Sequence, residues 1–359
     1  MKIAIYTIAR NEEKHVEQFM KTCRGADYIV VGDSGSTDRT REAIQDLGGT
    51  IIPLSIVPWR FDMGRNTVLS VLPADIDFCF AMDLDEVFQS PDWRSILENA
   101  WRVGEHTRLR FRYIHSFRAP GVPGTVGMKD FAHERHNYFW QHMIHESLYY
   151  RGPAKENMLT LPSLVVEHHQ DKQKSRDTYL PMLEAECRSM TATPRHIFWL
   201  IREYIPIQKW QSIVEWTDRF FEYKQIWHVE EANAWRYRAK ALANLKQPEA
   251  ALLAHLKSIE IAPKEREVWM DLGWYYQSRG DWVQAYGVVS QALSLTQRPE
   301  HYLAAEEAWG FKIHELASAC AAQIGLVDKA REHITTAMKL GPNIPHLKRL
   351  AAKLGLSVD

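Results

Sequence analysis

Residues 77–88, DFCFAMDLDEVF, place an apolar run from Phe78 to Met82 directly before three acids, Asp83, Asp85 and Glu86. Asp83 and Asp85 are two positions apart. In an extended segment such residues point to the same side, and two carboxylates held side by side repel unless a cation lies between them. Oxygen ligands in an open site suit Mg²⁺ or Mn²⁺ held together with substrate phosphates. The plainer reading is a solvated acidic turn ahead of a helix that begins near Pro91, and on spacing alone the two readings stand level. Glu86 points away from Asp85 in an extended chain, which gives it a structural role.

Three further patches carry possible chemistry. In VVGDSGSTDRT (30–40), Asp33 ends an apolar run, and Ser34, Gly35 and Ser36 allow a ligand to approach the backbone closely. In FDMGRN (61–66), Arg65 and Asn66 sit near a helix start, where an anion can dock. The stretch HERHNYFWQHMIHESLYY (133–150) holds His133, His136, His142 and His145. Each patch alone is more simply a turn, a helix cap or a set of structural histidines.

These residues need a frame, and the first third of the chain supplies one by alternation. KIAIYTI (2–8), YIVVGD (28–33), TIIPLSI (50–56) and IDFCFAMD (76–83) read as strands, with Pro53 marking an edge or an irregular stretch. Residues 11–23, 36–49 and 61–72 read as the helices between them. Such alternation predicts an α/β domain with a mainly parallel, Rossmann-like sheet, whose ligands sit beyond the carboxyl ends of the strands. Asp33 and Asp83 fall at such ends. From about 105 to 170 the pattern changes: residues 108–117, 146–152 and the start of 161–180 read as strands, and GVPGTVGMKD (121–130) as a loop. The connection after His168 and His169 is basic, with Lys172, Lys174 and Arg176, and reads as a solvated linker or a segment able to fold over a pyrophosphate.

The remainder reads as an all-α domain, and it repeats. Trp235 and Trp269 lie 34 residues apart (269 − 235), as do Ala239 and Gly273 (273 − 239). That period is the tetratricopeptide one, in which each unit buries its apolar face only against its neighbours. Residues 198–222 and 314–342 look like degenerate outer units. The domain boundary is expected near 175–195, giving domains 1–180 and 181–359.

Together and in this order, ARNEE, VGDSGSTD, RN and MDLDE closely resemble the motifs of family 2 glycosyltransferases, over roughly residues 1–175. The resemblance implies a GT-A fold, a nucleotide-sugar donor such as a UDP-sugar, and a divalent metal, Mn²⁺ or Mg²⁺. Carried over by position, Thr7, Ala9, Arg10 and Glu12 end the first strand and touch the nucleoside, Asp33 lies by the base or ribose, and Arg65 lies near the base or the diphosphate. Asp83 faces the ribose or the metal, and Asp85 binds the metal directly. Relatives that carry helical repeats have a similar VHE after the acid pair. That likeness makes His145 a third metal ligand and Glu146 the first candidate for the general base that an inverting transfer requires. Glu134 and His142 are its rivals.

The expected activity is therefore metal-dependent transfer of a hexosyl or pentosyl group to an acceptor hydroxyl or other nucleophile. Two other readings compete with it: a tetratricopeptide scaffold with a vestigial nucleotide-binding domain, and a haloacid-dehalogenase-type phosphatase. The phosphatase needs a nucleophilic Asp after the first strand, which here ends in TIAR. The repeats point to a protein or peptide acceptor or to a homodimer; a glycan, a small molecule or a modified nucleic-acid base is the alternative. Lys+Arg 44 against Asp+Glu 45 argues against a general nucleic-acid or membrane-surface binder. Cys23, Cys79, Cys187 and Cys320 form no CxxC pair and read as reduced thiols in a cytoplasmic protein. No run approaches the ~18 apolar residues of a membrane span, and the N-terminus does not read as a signal peptide.

Overall fold

The computed structural model describes residues 1–119, 121–170, 179–299 and 301–357, and Lys172, Lys174 and Arg176 lie outside them. The chain divides into two compact units, Met1–Ala192 and Thr193–Asp359.

The first unit runs β1 (Ile3–Ala9), α1 (Glu13–Thr22), β2 (Tyr28–Asp33), α2 (Thr40–Asp46), β3 (Thr50–Pro53), α3 (Phe61–Val71) and β4 (Phe78–Ala81). It continues with β5 (Glu86–Phe88), α4 (Trp93–Ala100), β6 (Arg108–Ile114), β7 (Phe117–Ala119), β8 (Val122–Pro123) and β9 (Val126–Glu134). It closes with β10 (Tyr138–Gln141), β11 (Ser147–Tyr150), β12 (Met158–His168) and α5 (Tyr179–Arg188).

Eight strands form one sheet in the order β3-β2-β1-β4-β9-β6-β12-β5. β3, which ends at Pro53, is an edge strand, as its proline suggests. β1 is buried along almost its whole length because both sheet faces are covered. Ile3 and Ile5 enter a core with Val16 and Phe19 of α1, Ile44 of α2 and Trp93 of α4. Ala4 and Tyr6 face the opposite way, into a second core with Val68 and Leu69 of α3 and Trp140 of β10.

Three expectations change here. The sheet is mixed: four neighbouring pairs are parallel and three antiparallel. Two of the antiparallel pairs come from β9, which inserts between β4 and β6, and the third from β5 against β12. The stretch read as a loop at 121–130 holds β8 and the start of β9; only the turn around Gly121, with φ 72°, obeys the Gly/Pro signal. The boundary falls after Ala192, within the expected 175–195 but later than the division drawn at 180, because α5 is tied into the first unit. Glu186 bonds His142 Nδ1 at 3.0 Å and the Met143 amide at 2.8 Å, and the Tyr179 hydroxyl meets His145 Nε2 at 2.6 Å.

The second unit is helical throughout: α6 (Pro194–Tyr204), α7 (Trp210–Phe221), α8 (His228–Asn244), α9 (Pro248–Ile261), α10 (Arg266–Ser278) and α11 (Trp282–Ser294). There follow α12 (Glu306–Trp309), α13 (Phe311–Gln323), α14 (Val327–Leu340) and α15 (Pro345–Lys353). Consecutive helices pair, and the residues that set the 34-residue period are the tight contacts. Ala239, Ala251 and Ala285 are fully buried, and a Cβ on Gly273 would meet Val289 Cγ2 at 2.5 Å. Among the described residues no helix is long and apolar enough to cross a membrane.

Candidate functional site

β1, β2 and β4 are parallel neighbours, so their carboxyl ends share one edge of the sheet. The loops leaving β1 and β2 are laced together there. Asn11, held at φ 54°, donates its amide to Ser36 Oγ at 2.9 Å and accepts from the Thr37 amide at 2.8 Å. The Glu12 amide donates to Thr40 Oγ1 at 2.8 Å. This lacing uses residues 36–38 as a loop, which is why α2 starts at Thr40 and not at 36. Asp33 is buried and accepts from the amides of Gly35 and Ser36 at 3.1–3.2 Å. It shapes the turn that follows β2.

β4 ends at Ala81, and the acids lie just beyond it. The segment is a turn, not an extended strand: the Glu86 amide donates to the Asp83 carbonyl at 3.0 Å. Asp83 and Asp85 nevertheless line one cavity of about 300 Å³, with Glu12, Arg65, His145 and Glu146. The turn does by folding what an extended chain would do by alternation. Glu86 is buried, with bonds to Tyr113, Lys129 and the Asp83 amide, and it braces the turn from behind.

Arg65 organises the cavity. Only 4% exposed, it donates from Nε to Glu146 at 2.6 Å and from Nη2 to Asp83 at 2.7 Å, and its guanidinium lies 5.0 Å from the Trp140 ring centroid. Burial opposes its charge, but the two carboxylates outweigh burial and raise its pKa. Burial likewise pushes Asp83 up, and the charges of Arg65 and then Lys129 overcome it, holding the carboxyl well below the usual range. Asp85 has a different partner, His168 Nε2 at 3.1 Å. Burial lowers the His168 pKa, while the hydrogen bond and charge of Asp85 raise it more, so the net shift is upward. The repulsion expected between Asp83 and Asp85 is thus relieved by the protein's own Arg65 and His168.

Of the residues singled out in the sequence, Glu12, Arg65, Asp83, Asp85, His145 and Glu146 meet in this cavity. Thr7 and Ala9 are buried in β1 and shape its end, while Arg10 is exposed. The two rival bases do not reach the cavity. Glu134 pairs with Phe78 at the start of β4, the opposite end of the strand from Asp83, because β9 runs antiparallel. His142 is buried with both ring nitrogens engaged, Nδ1 with Glu186 and Nε2 with the Tyr149 hydroxyl at 2.8 Å. His168, Tyr179 and Phe61 also line the cavity. The doublet His168-His169 at the end of β12 was the available sign of the first; its register opposite Glu86 comes from strand pairing alone.

The side chains present are chemically suited to a divalent ion. Asp83 Oδ2 and Asp85 Oδ1 have no protein partner among the described residues, and carboxylate oxygens beside imidazole suit Mn²⁺ or Mg²⁺. Asp83, Asp85 and His145 do not bring three ligand atoms within 4.8 Å of one another. His168 stands nearer to Asp85 than the sequence reading allowed for.

No family model matches the chain, and no curated protein matches it. Among solved structures it is similar to MamA from Desulfovibrio magneticus RS-1 (17% identity, 48% of this chain and 88% of that one, TM-score 0.37). It is similar to a thermophilic TPR protein of Thermus thermophilus (16%, 50% and 89%, TM-score 0.37). A third likeness is the first TPR of Spaghetti bound to an HSP90 peptide (13%, 34% and 92%, TM-score 0.30). At such identities and scores these likenesses say nothing of what this chain binds or catalyses.

Proposed function

We propose that the first unit is a metal-dependent glycosyltransferase that uses a nucleoside-diphosphate sugar and transfers with inversion. The observation that carries this reading is the joining of Asp83 and Glu146 by Arg65, beside Asp85, in a cavity at the carboxyl ends of β1 and β4. Ligands of open α/β sheets bind at such ends. The motif resemblance supplies the chemistry, and the cavity has acids where that chemistry needs them.

Each side chain has a role in this reading. Glu12 and the laced loops after β1 and β2 receive the nucleoside. Asp85 and Asp83 hold a divalent ion, which when bound neutralises the leaving diphosphate. Glu146 takes the proton from the acceptor hydroxyl as that oxygen bonds to the anomeric carbon and the bond to the diphosphate breaks. Arg65 fixes Glu146 and Asp83 relative to each other, so that base and leaving-group site stay in register. The acceptor is proposed to be a hydroxyl of a protein or peptide.

The test is thermal stabilisation of the purified protein by UDP, GDP and CMP, each with and without Mn²⁺. A metal-dependent rise with one nucleotide, abolished in Asp85→Ala, is the expected result. No response to any nucleotide sinks the transferase reading and leaves the repeat scaffold with a vestigial domain.

A further inference from the structure

A second cavity of the first unit, of about 480 Å³, shares no lining residue with the acidic one. The fold builds it where α3 stops and β10 starts. β9 ends with Glu134 paired to Phe78, at the far end of β4 from the acid turn. The turn that follows, through Asn137 at φ 66°, brings Arg135, His136 and Asn137 to the end of α3. Leu69 and Ser70 of α3 form the helix side of the cavity, and Arg151, just after β11, closes it beside Phe139.

The two cavities are opposite in charge. Glu12, Asp83, Asp85 and Glu146 line the first, whereas among the described residues no Asp or Glu lines the second. In the second, the donors of the uncharged side chains already serve the protein. Asn66 Nδ2 donates to the Trp140 carbonyl at 2.8 Å, Ser70 Oγ to the Thr67 carbonyl at 2.7 Å and Asn137 Nδ2 to Glu134 at 3.2 Å. His136 Nε2 donates to the Ala74 carbonyl at 3.1 Å, and the Tyr138 hydroxyl to Glu156 at 2.9 Å. The two arginines remain. Arg135 is fixed by Nε on the Pro73 carbonyl at 3.1 Å and Nη2 on the Leu72 carbonyl at 2.7 Å, which leaves Nη1 without a protein partner among the described residues. Arg151 holds its guanidinium 4.7 Å from the Phe139 ring centroid, and among the described residues its side chain makes no hydrogen bond or ion pair.

A guanidinium offers N–H donors in a planar fork that matches the oxygens of a phosphate, and stacking on a ring holds the fork in place. We propose that this cavity binds a phosphate-bearing small molecule, with the phosphate between Arg135 and Arg151. The rest of the molecule lies against Leu69 and Phe139, since the volume is in the range of small-molecule pockets. No carboxylate in the lining opposes the phosphate charge, whereas the acidic cavity must first take up a cation. The site stands apart from the proposed transfer chemistry and does not depend on it.

The probes are phenyl phosphate and inorganic phosphate, each titrated calorimetrically into the full chain in EDTA at constant ionic strength, with sodium chloride as the control. Phenyl phosphate should bind more tightly than inorganic phosphate, because its ring uses the apolar wall. Arg151→Gln should weaken phenyl phosphate about tenfold or more, the worth of a charge-assisted hydrogen bond, and Asp85→Ala should leave it unchanged. No binding beyond the chloride control, or equal binding by Arg151→Gln, overturns the proposal, as does loss of binding in Asp85→Ala, which would place the phosphate in the acidic cavity. A second readout needs no variant. Phenylglyoxal labelling of the unmodified protein, mapped by mass spectrometry, should show phenyl phosphate protecting Arg151 but not the exposed Arg112 of β6. Equal protection of both refutes a site at Arg151.

Discussion

Asp85 and His168 meet at 3.1 Å although 83 positions separate them in the chain. β5 and β12 make the meeting by pairing antiparallel at the sheet edge, with His168 opposite Glu86. An acid from the turn after β4 is thereby given a nitrogen partner from the last strand of the unit. In the proposed transferase, His168→Ala should weaken the Mn²⁺-dependent nucleotide stabilisation about tenfold or more, while the stabilisation by nucleotide alone changes little. Titrating Mn²⁺ at fixed UDP in a thermal-shift assay checks this, and an unchanged Mn²⁺ midpoint assigns His168 a purely structural part.

Arg65 is the buried cation of the cavity, and removing it leaves Asp83 and Glu146 without their shared partner. Breaking a buried ion pair from one side costs about 3–5 kcal/mol. Arg65→Met should therefore lower the urea midpoint by a corresponding amount. Arg65→Lys should recover only part, because an ammonium cannot present two parallel donors in a fixed fork. A lysine variant as stable as the parent contradicts the bidentate geometry.

His133, on the central strand β9, is fully buried and its two nitrogens are differently committed. Nδ1 donates to the Glu134 carbonyl at 2.6 Å, and Nε2 accepts from the Tyr6 hydroxyl at 2.9 Å. Burial is the chief cause of a pKa lowered from 6.5 to about 3. The folded state thus binds fewer protons than the unfolded one between those values. The stability owed to neutral His133 is complete above pH 6.5 and is lost as pH falls toward 3, at up to about 1.4 kcal/mol per pH unit. Urea unfolding of the parent and of His133→Gln across about pH 4–7 should show the parent with the steeper acid loss; parallel curves disprove it.

Two glycines of the repeats should respond oppositely to the same change. A Cβ at Gly273 would meet Val289 Cγ2 at 2.5 Å and Leu316 Cδ2 at 3.3 Å, whereas one at Gly287 would meet nothing within 4 Å. Gly273→Ala should destabilise by about 1–3 kcal/mol through overpacking against a stiff β-branched neighbour. Gly287→Ala should stabilise by up to about 1 kcal/mol through helix propensity. Thermal melts of the two variants give the signs directly.

The sequence by itself determined what short-range physics governs. The β1–α1–β2 alternation, the edge position of β3, the place of α3 and the 34-residue spacing of buried Ala and Gly all follow from local periodicity, because one face or both must be buried. It also marked Asp83, Asp85 and Arg65, since their residue types and order are local facts, whereas Glu146 was marked only by the motif resemblance. The tertiary structure decided what depends on pairing between distant segments. β9 enters the middle of the sheet through hydrogen bonds on both edges, which no local pattern announces, and its antiparallel run carries Glu134 away from Asp83. His142 proved to be a buried link to Glu186 of α5, although it lies in the same His-rich stretch as His145. The partners of the acids, Arg65 and His168, are chosen by strand register and desolvation, and both belong to the folded chain alone.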